Sequence, residues 1–260
     1  MLSEIPKKSV PTMKILESHN GLSALLVDKS DYDGIWVSSL THATSKGLPD
    51  NELVPLKERV DLVEEIKRIT DKPIIVDIDT GESIGHLSYI IRWFAQAGAY
   101  AVIMEDKKYP KQNSLLEDGQ HELEDIDLFS EKIKIAKENA GEMKVFARLE
   151  SLIAKRSKYE ALLRAEAYIE AGADGVMVHS KQKVDCSEVM EVGEELRSRH
   201  PKLTLIAVPT TYTLPEKHPF DIIIYANQLM RASLKAMQKF INGEDVELAS
   251  VQSIFDLCGH

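Results

Sequence analysis

Polar residues gather at the ends of short apolar runs along this 260-residue chain, and their types suit chemistry on a small anion. The run Ala101-Val102-Ile103-Met104 breaks into Glu105-Asp106-Lys107-Lys108-Tyr109-Pro110-Lys111-Gln112-Asn113-Ser114-Leu115, the pattern expected where a buried strand passes into a catalytic loop. In a parallel barrel the active site forms at the C-terminal edges of the strands. Collecting the polar residues that follow apolar runs yields His19, Ser38, Asp77, Asp79, Glu105, Lys107, Arg148, Glu150, His179, Ser180, Thr210 and Asn227. The set is rich in carboxylates and cations.

Asp77 and Asp79 lie in Ile74-Ile75-Val76-Asp77-Ile78-Asp79-Thr80-Gly81, where period-two alternation would put both carboxylates on one face of an extended segment. With Glu105 and Asp50 they form an all-oxygen cluster suited to Mg²⁺ or Mn²⁺, hard cations that keep several waters. The other reading of Asp-x-Asp before Thr-Gly is a helix cap and turn. Arg148 ends Val145-Phe146-Ala147-Arg148 and needs an anionic partner there, because an unpaired buried charge is costly. That partner is either Glu150 or Glu105 in a structural pair, or a phosphoryl or carboxylate group gripped by the guanidinium fork. A histidine such as His179 at one strand end is often a satisfied core residue; beside Arg148 it becomes a donor to the same phosphoryl group. Trp36-Val37-Ser38-Ser39-Leu40 offers a hydroxyl and successive backbone N–H groups to a developing oxyanion. Lys7-Lys8 and Lys181-Gln182-Lys183 read as solvated charge with no site role.

Short β-rich runs recur at 14–16, 35–38, 73–77, 101–104, 144–148, 175–178, 203–208 and 222–225, the number that closes a (β/α)8 barrel. Between them, 56–70 and 159–171 carry apolar residues at helical spacing: Leu56, Val60, Val63 and Ile66 in the first, Ala161, Leu162, Ala165, Tyr168 and Ile169 in the second. Gly34, Gly98 and Gly172 are each expected just after a helix, as left-handed C-caps before the next strand. No linker, low-complexity tract or repeat interrupts the chain, so one α/β domain of TIM type over 1–260 is expected. The balance of 32 basic against 42 acidic residues, net −10, argues against a nucleic-acid groove. No apolar run approaches the ~18 residues of a membrane span, and the first residues lack the order of a signal peptide. Cys186 and Cys258 have neither zinc-site nor disulfide spacing, which suits a reducing cytoplasm.

Several segments match a known family in order: Glu17-Ser18-His19-Asn20-Gly21-Leu22-Ser23-Ala24, Gly34-Ile35-Trp36-Val37-Ser38-Ser39-Leu40, Ser45-Lys46-Gly47-Leu48-Pro49-Asp50, Asp77-Ile78-Asp79-Thr80-Gly81, the EDKxxPKxNSL loop, Ala147-Arg148-Leu149-Glu150-Ser151, His179-Ser180-Lys181, Val208-Pro209-Thr210-Thr211-Tyr212 and Tyr225-Ala226-Asn227-Gln228-Leu229-Met230-Arg231. Together they resemble the phosphoenolpyruvate mutase family, a branch of the isocitrate lyase superfamily, and Lys111-x-Asn113-Ser114 points to the mutase branch. The resemblance implies a TIM-type barrel whose C-terminal helical segment, about 228–258, is exchanged between subunits of a homo-oligomer, a dimer or tetramer. It implies Mg²⁺ on Asp77, with Asp50, Asp79 and Glu105 acting through bound waters. The pyruvate end of a small substrate would lie against Trp36, Ser38, Ser39 and Leu40, and Lys111, Asn113, Arg148 and His179 would surround the phosphoryl group. Loop 107–122, with Ser114 and Leu115, would close over the site and exclude water. The implied reaction interconverts phosphoenolpyruvate and phosphonopyruvate.

Two segments depart from the family pattern. Glu82 follows Asp79-Thr80-Gly81 and is expected to add a charge near the metal cluster, and the stretch after Tyr212 is short before the next strand. The nearest alternative activity is phosphonopyruvate hydrolase, whose gate lacks the Asn pattern. A carbon–carbon lyase would carry a KKCGH motif where this chain has Lys107-Lys108-Tyr109-Pro110. An alternative of another class is a barrel that binds such an anion without turning it over.

Overall fold

The computed structural model describes residues 12–259, so Lys7-Lys8 lies outside the described residues. Eight parallel strands close a barrel in sequence order: β1 (Met13–Glu17), β2 (Gly34–Val37), β3 (Ile74–Asp77), β4 (Ala101–Glu105), β5 (Lys144–Leu149), β6 (Gly175–Val178), β7 (Thr204–Ala207) and β8 (Ile222–Tyr225), with β8 pairing back onto β1. Every run picked out from the sequence is a strand. Both faces of such a sheet are covered, which is why its strands read as continuous Ile, Val and Leu.

Around the barrel lie α1 (Gly21–Asp28), α2 (Ser39–Ser45), α3 (Leu56–Lys67), α4 (Ile84–Gln96), α5 (Ile126–Asn139), α6 (Lys158–Glu170) and α7 (Ser187–Arg199). The expected helices over 56–70 and 159–171 are α3 and α6. α6 starts one residue earlier than its apolar pattern because the Ser157 side chain accepts from the Glu160 amide and caps it. Among the described residues no helix joins β7 to β8. Pro209, Pro215 and Pro219 break that short connection, and Arg197 of α7 fastens its end by donating to the Pro219 carbonyl at 3.0 Å and to the Asp221 carboxylate.

Gly98 and Gly172 have φ of 87° and 103°, the left-handed caps their positions required. Gly34 corrects the third expectation. It begins β2 without a positive φ, and a Cβ there would lie 2.7 Å from the Pro73 carbonyl oxygen and from Ile15 Cδ1, so close strand packing demands the glycine.

The apolar side chains form two layers. Leu16, Ile35, Val37, Val76, Val102, Val145, Val176 and Leu205 face the helices, and Ile15, Trp36, Ile75, Ile103, Phe146, Met177, Ile206 and Ile224 fill the barrel. After β8 the chain forms α8 (Gln228–Ile241) and, past Asn242-Gly243, α9 (Val251–Cys258). No residue of either helix is buried among the described residues, and Leu234, Met237, Phe240, Ile241 and Ile254 are exposed. No helix of the described chain is long and apolar enough to cross a membrane.

Candidate active site

The interior columns of the barrel turn polar at their C-terminal ends. Two residues beyond five of these inward apolar side chains, the same pleat points a polar one inward: Trp36 leads to Ser38, Ile75 to Asp77, Ile103 to Glu105, Phe146 to Arg148 and Met177 to His179. The register places Glu105 directly beside Arg148 on adjacent strands. Ser38, Asp77, Glu105, Arg148 and His179 are all buried.

Arg148 is the hub. Its Nε donates to Glu150 Oε1 at 2.5 Å, and Nη2 donates to Ser114 Oγ at 3.0 Å and lies 2.9 Å from His179 Nδ1 and 3.3 Å from Glu105 Oε2. Nη1 lies 3.6 Å from Asp77 Oδ2. The structural pairing of Arg148 with Glu150 and Glu105 therefore exists, and Arg148 still lines the cavity. Lys107 lies 3.3 Å from Glu150 Oε2 and donates to Ser114 Oγ at 2.6 Å. Arg148 and Lys107 outweigh burial and hold the Glu150 carboxyl well below the usual carboxylate range. Burial, reinforced by Arg148, lowers the His179 imidazole below the ordinary histidine value.

The second cluster is acidic. Asp77 and Asp79 do not share an extended face as expected. β3 stops at Asp77, whose Oδ1 accepts from the Asp79 amide at 3.0 Å, and Asp79 then turns left-handed with φ of 53°. This is an Asx-type turn, so the turn reading of the Asp-x-Asp pattern holds for its backbone. Arg59 of α3 donates to the Asp77 carbonyl at 2.6 Å and to Asp79 Oδ2 at 2.8 Å. Lys111 Nζ lies 2.9 Å from Asp79 Oδ1, 3.1 Å from Asp50 Oδ2 and 3.7 Å from Glu105 Oε1, and donates to Ser39 Oγ at 3.0 Å. Burial raises the Asp79 carboxyl, but Arg59 and Lys111 outweigh it and leave it below its ordinary range. Glu105 behaves oppositely: burial pushes it up to about 7 against Lys107, Lys111 and Arg148. Its cations stand 3.3 to 3.9 Å away and are shared with closer acids.

Among the described residues no three acids already form a cation cage. The donor set nevertheless fits a hard divalent ion. It is all oxygen, and both Glu105 carboxylate oxygens are buried without a hydrogen bond.

Loop 107–122 closes over both clusters. The Asn113 amide donates to Asp50 Oδ2 at 2.6 Å, the Lys111 amide to Glu52 Oε2 at 2.7 Å, and Ser114 Oγ to Glu150 Oε2 at 2.6 Å. Lys181, read from the sequence as solvated, is instead half-buried, with Nζ donating to the Leu116 carbonyl at 3.0 Å and lying 3.1 Å from His121 Nε2. Glu82 has a partner of its own: its Oε1 accepts from the Leu56 amide at 3.2 Å, at the start of α3, where Pro55 offers no side-chain cap.

Beneath the loop is a cavity of about 50 Å³ lined by Trp36, Ser38, Ser39, Leu40, Asp50, Asp77, Lys111, Asn113, Ser114, Leu115, Arg148 and His179, with Met177, Val208, Thr210, Ala226 and Asn227. All residues expected to touch substrate are here. Asp79 and Glu105 do not line it and reach it through Lys111. Sequence reasoning missed Arg59 and Glu52. Arg59 is 1% exposed and sits one helical turn from both Leu56 and Val63, so an arginine inside an apolar stripe was its signal. Glu52 also accepts from Thr80 Oγ1 at 2.7 Å and so ties the loop to the end of β3, and nothing in its spacing announced that.

A sequence profile described as Phosphoenolpyruvate phosphomutase matches residues 5–243. The chain belongs to the phosphoenolpyruvate mutase/isocitrate lyase superfamily. It is 36% identical over 263 residues to a phosphoenolpyruvate phosphomutase of Tetrahymena pyriformis, covering 94% of this chain and 86% of that protein. The crystal structure of a phosphoenolpyruvate phosphomutase from Streptomyces platensis subsp. rosaceus superposes with a TM-score of 0.88 at 31% identity, over 96% of this chain and 92% of that one. A phosphonopyruvate hydrolase in complex with oxalate and Mg²⁺ superposes with a TM-score of 0.83 at 32% identity, over 95% and 90% of the two chains. Mutase and hydrolase are thus similar to this superfamily member to about the same degree.

Proposed function

We propose that the chain is a phosphoenolpyruvate mutase, interconverting phosphoenolpyruvate and phosphonopyruvate by moving the phosphoryl group between the enol oxygen and C3 of one molecule. The observation that carries this reading is the gate. Lys111, Asn113, Ser114 and Leu115 line the cavity together with Arg148 and His179, and Asn113 is fastened to Asp50. A phosphoryl group in transit must not meet water, and a closed, bonded loop meets that need.

The backbone N–H groups at the start of α2, from Ser38 to Leu40, suit the pyruvate carboxylate and enolate oxygens, which carry charge when the P–O bond breaks. Arg148 and His179 suit the phosphoryl oxygens, holding that group in place until the P–C bond forms, since positioning and electrostatics dominate such transfers. Asp77, Asp79, Glu105 and Asp50 would hold Mg²⁺ or Mn²⁺, which supplies Lewis-acid stabilisation of the enolate. Atoms balance without a proton or co-reactant: one P–O bond is lost and one P–C bond gained.

The exposed apolar face of α8 fits a second copy of the chain, so the enzyme is proposed to be a homo-oligomer that exchanges its C-terminal helices. Two unpaired cysteines fit a cytoplasmic setting. The test is ³¹P NMR of purified protein with phosphonopyruvate, with Mg²⁺ or with EDTA. Metal-dependent phosphoenolpyruvate is expected. Free phosphate as the main product would make the chain a hydrolase, and an unchanged spectrum would end both readings.

A further inference from the structure

The gate loop also sends a charge into the barrel mouth. Lys111 reaches across the mouth so that its ammonium stands among Asp79, Asp50 and Glu105, with Ser39 Oγ as a further partner, and its side chain is 2% exposed. Ser39 Oγ in turn donates to Asp77 Oδ2 at 3.1 Å, which brings the fourth acid into the same network. The ammonium is paired with Asp79 Oδ1 at 2.9 Å and also faces Glu105 Oε1, a buried oxygen that makes no hydrogen bond. A divalent ion on Asp77 would be held by the same acids, directly or through its waters. An ammonium 2.9 Å from Asp79 Oδ1 takes space that the ion's shell would need, and the two cations would repel in a site this dry.

We propose that the Lys111 ammonium is a tethered competitor of the divalent cation: it stands in for that ion among Asp50, Asp79 and Glu105, and it must leave them for the metal to bind. Gate and metal are thereby coupled. The Lys111 amide is bonded to Glu52 and Asn113 two residues on is bonded to Asp50, so the side chain that faces the acids belongs to the segment that shuts the cavity. Departure of Lys111 from the acids also frees its charge for an anion in the cavity, which Lys111 already lines. One cation thus changes partner from protein carboxylates to the substrate side when the other arrives. By reciprocity, whatever fastens Lys111 to the acids weakens metal binding by the same factor. The inference rests on the cation site of the proposed reading and not on which reaction follows.

The experiment uses Mg²⁺ alone, with no substrate, so failure of the mutase assignment would leave it standing. Titration calorimetry on EDTA-stripped protein compares wild type with Lys111→Met and Lys111→Gln, whose folding is checked by circular dichroism. Mg²⁺ should bind at least about tenfold more tightly to both variants, the size of a modest coupling between sites. Because removing any nearby positive charge would help somewhat, the displacement itself is read by ¹⁵N NMR of the lysine ammonium groups. The Lys111 signal, assigned by its absence from Lys111→Met, should move or vanish at saturating Mg²⁺ in wild type. A Lys111 signal unchanged at saturation overturns the proposal, as does Mg²⁺ affinity in both variants equal to or below that of wild type.

Discussion

Arg59 is the arginine that α3 contributes from its buried face, and removing it should reveal how the acid cluster is held together. Its guanidinium is 2% exposed, and so is the Asp79 side chain to which it donates at 2.8 Å. Breaking a buried pair by deleting one partner costs roughly 3–5 kcal/mol, because the remaining charge is left in a dry site. Two structural details set where in that range Arg59→Met should fall. Lys111 still faces Asp79 Oδ1 at 2.9 Å, which reduces the loss, while the Asp77 carbonyl loses its 2.6 Å donor, which adds roughly 1–3 kcal/mol. A total of about 4 kcal/mol is expected, or a fall in Tm of roughly 8–16 °C for a chain of this size.

Urea unfolding in EDTA, followed by circular dichroism, measures the loss directly. Asp79→Asn should also destabilise, and the double variant should be better than the sum of the two by about 2 kcal/mol, since contacting partners are not additive. The pH dependence has a definite sign. Asp79 is held below its ordinary carboxylate range, so its pairing stabilises the fold above that range and fades as pH falls through the depressed value. Arg59→Met should therefore lose less stability than wild type on acidification. A cost under about 1 kcal/mol, or strictly additive single variants, would refute this account of the cluster.

Glu82→Ala should cost about 0.5–2 kcal/mol of stability in the same unfolding assay, the value of a lost helix cap, with Mg²⁺ affinity unchanged; weaker Mg²⁺ binding would place Glu82 back among the acids. Lys181→Ala removes the bond to the Leu116 carbonyl, so loop 107–122 should be cut by protease several-fold faster and more free phosphate should appear in the ³¹P spectrum, while the Tm barely moves. Gly175→Ala would put a Cβ 2.5 Å from the Thr204 carbonyl oxygen and should destabilise by roughly 1–3 kcal/mol, read as a lower urea midpoint. Met237→Asp with Phe240→Asp should lower the native mass measured by light scattering, and a wild type that is already monomeric would end the proposed helix exchange.

The barrel was legible because its signal is local and repeated. Each strand is a short run of Ile, Val, Leu or Ala, each glycine cap follows a helical pattern, and polar residues stand where the runs stop. Strand-end chemistry could be collected by the same rule, since the period of two that buries Ile103 and Phe146 also turns Glu105 and Arg148 inward. Three residues hold their places for physical reasons that are not local. Gly34 is set by its approach to Pro73 and Ile15, Glu82 by the uncapped start of α3, and Lys181 by a loop about sixty residues earlier in the chain.

Residue order alone thus determined the strands, the superfamily and the inventory of acids and cations, because period, turn chemistry and motif spacing are properties of neighbours. Partner choice was decided only by the closed barrel. Whether Arg148 meets Glu150 or a ligand, whether Asp79 faces Arg59 or a metal, and where Lys111 puts its charge depend on strand ends and loops far apart in the chain. Coulomb and desolvation energies are set by distances of 3 to 4 Å between such groups, and those distances exist only after the eight strands have closed.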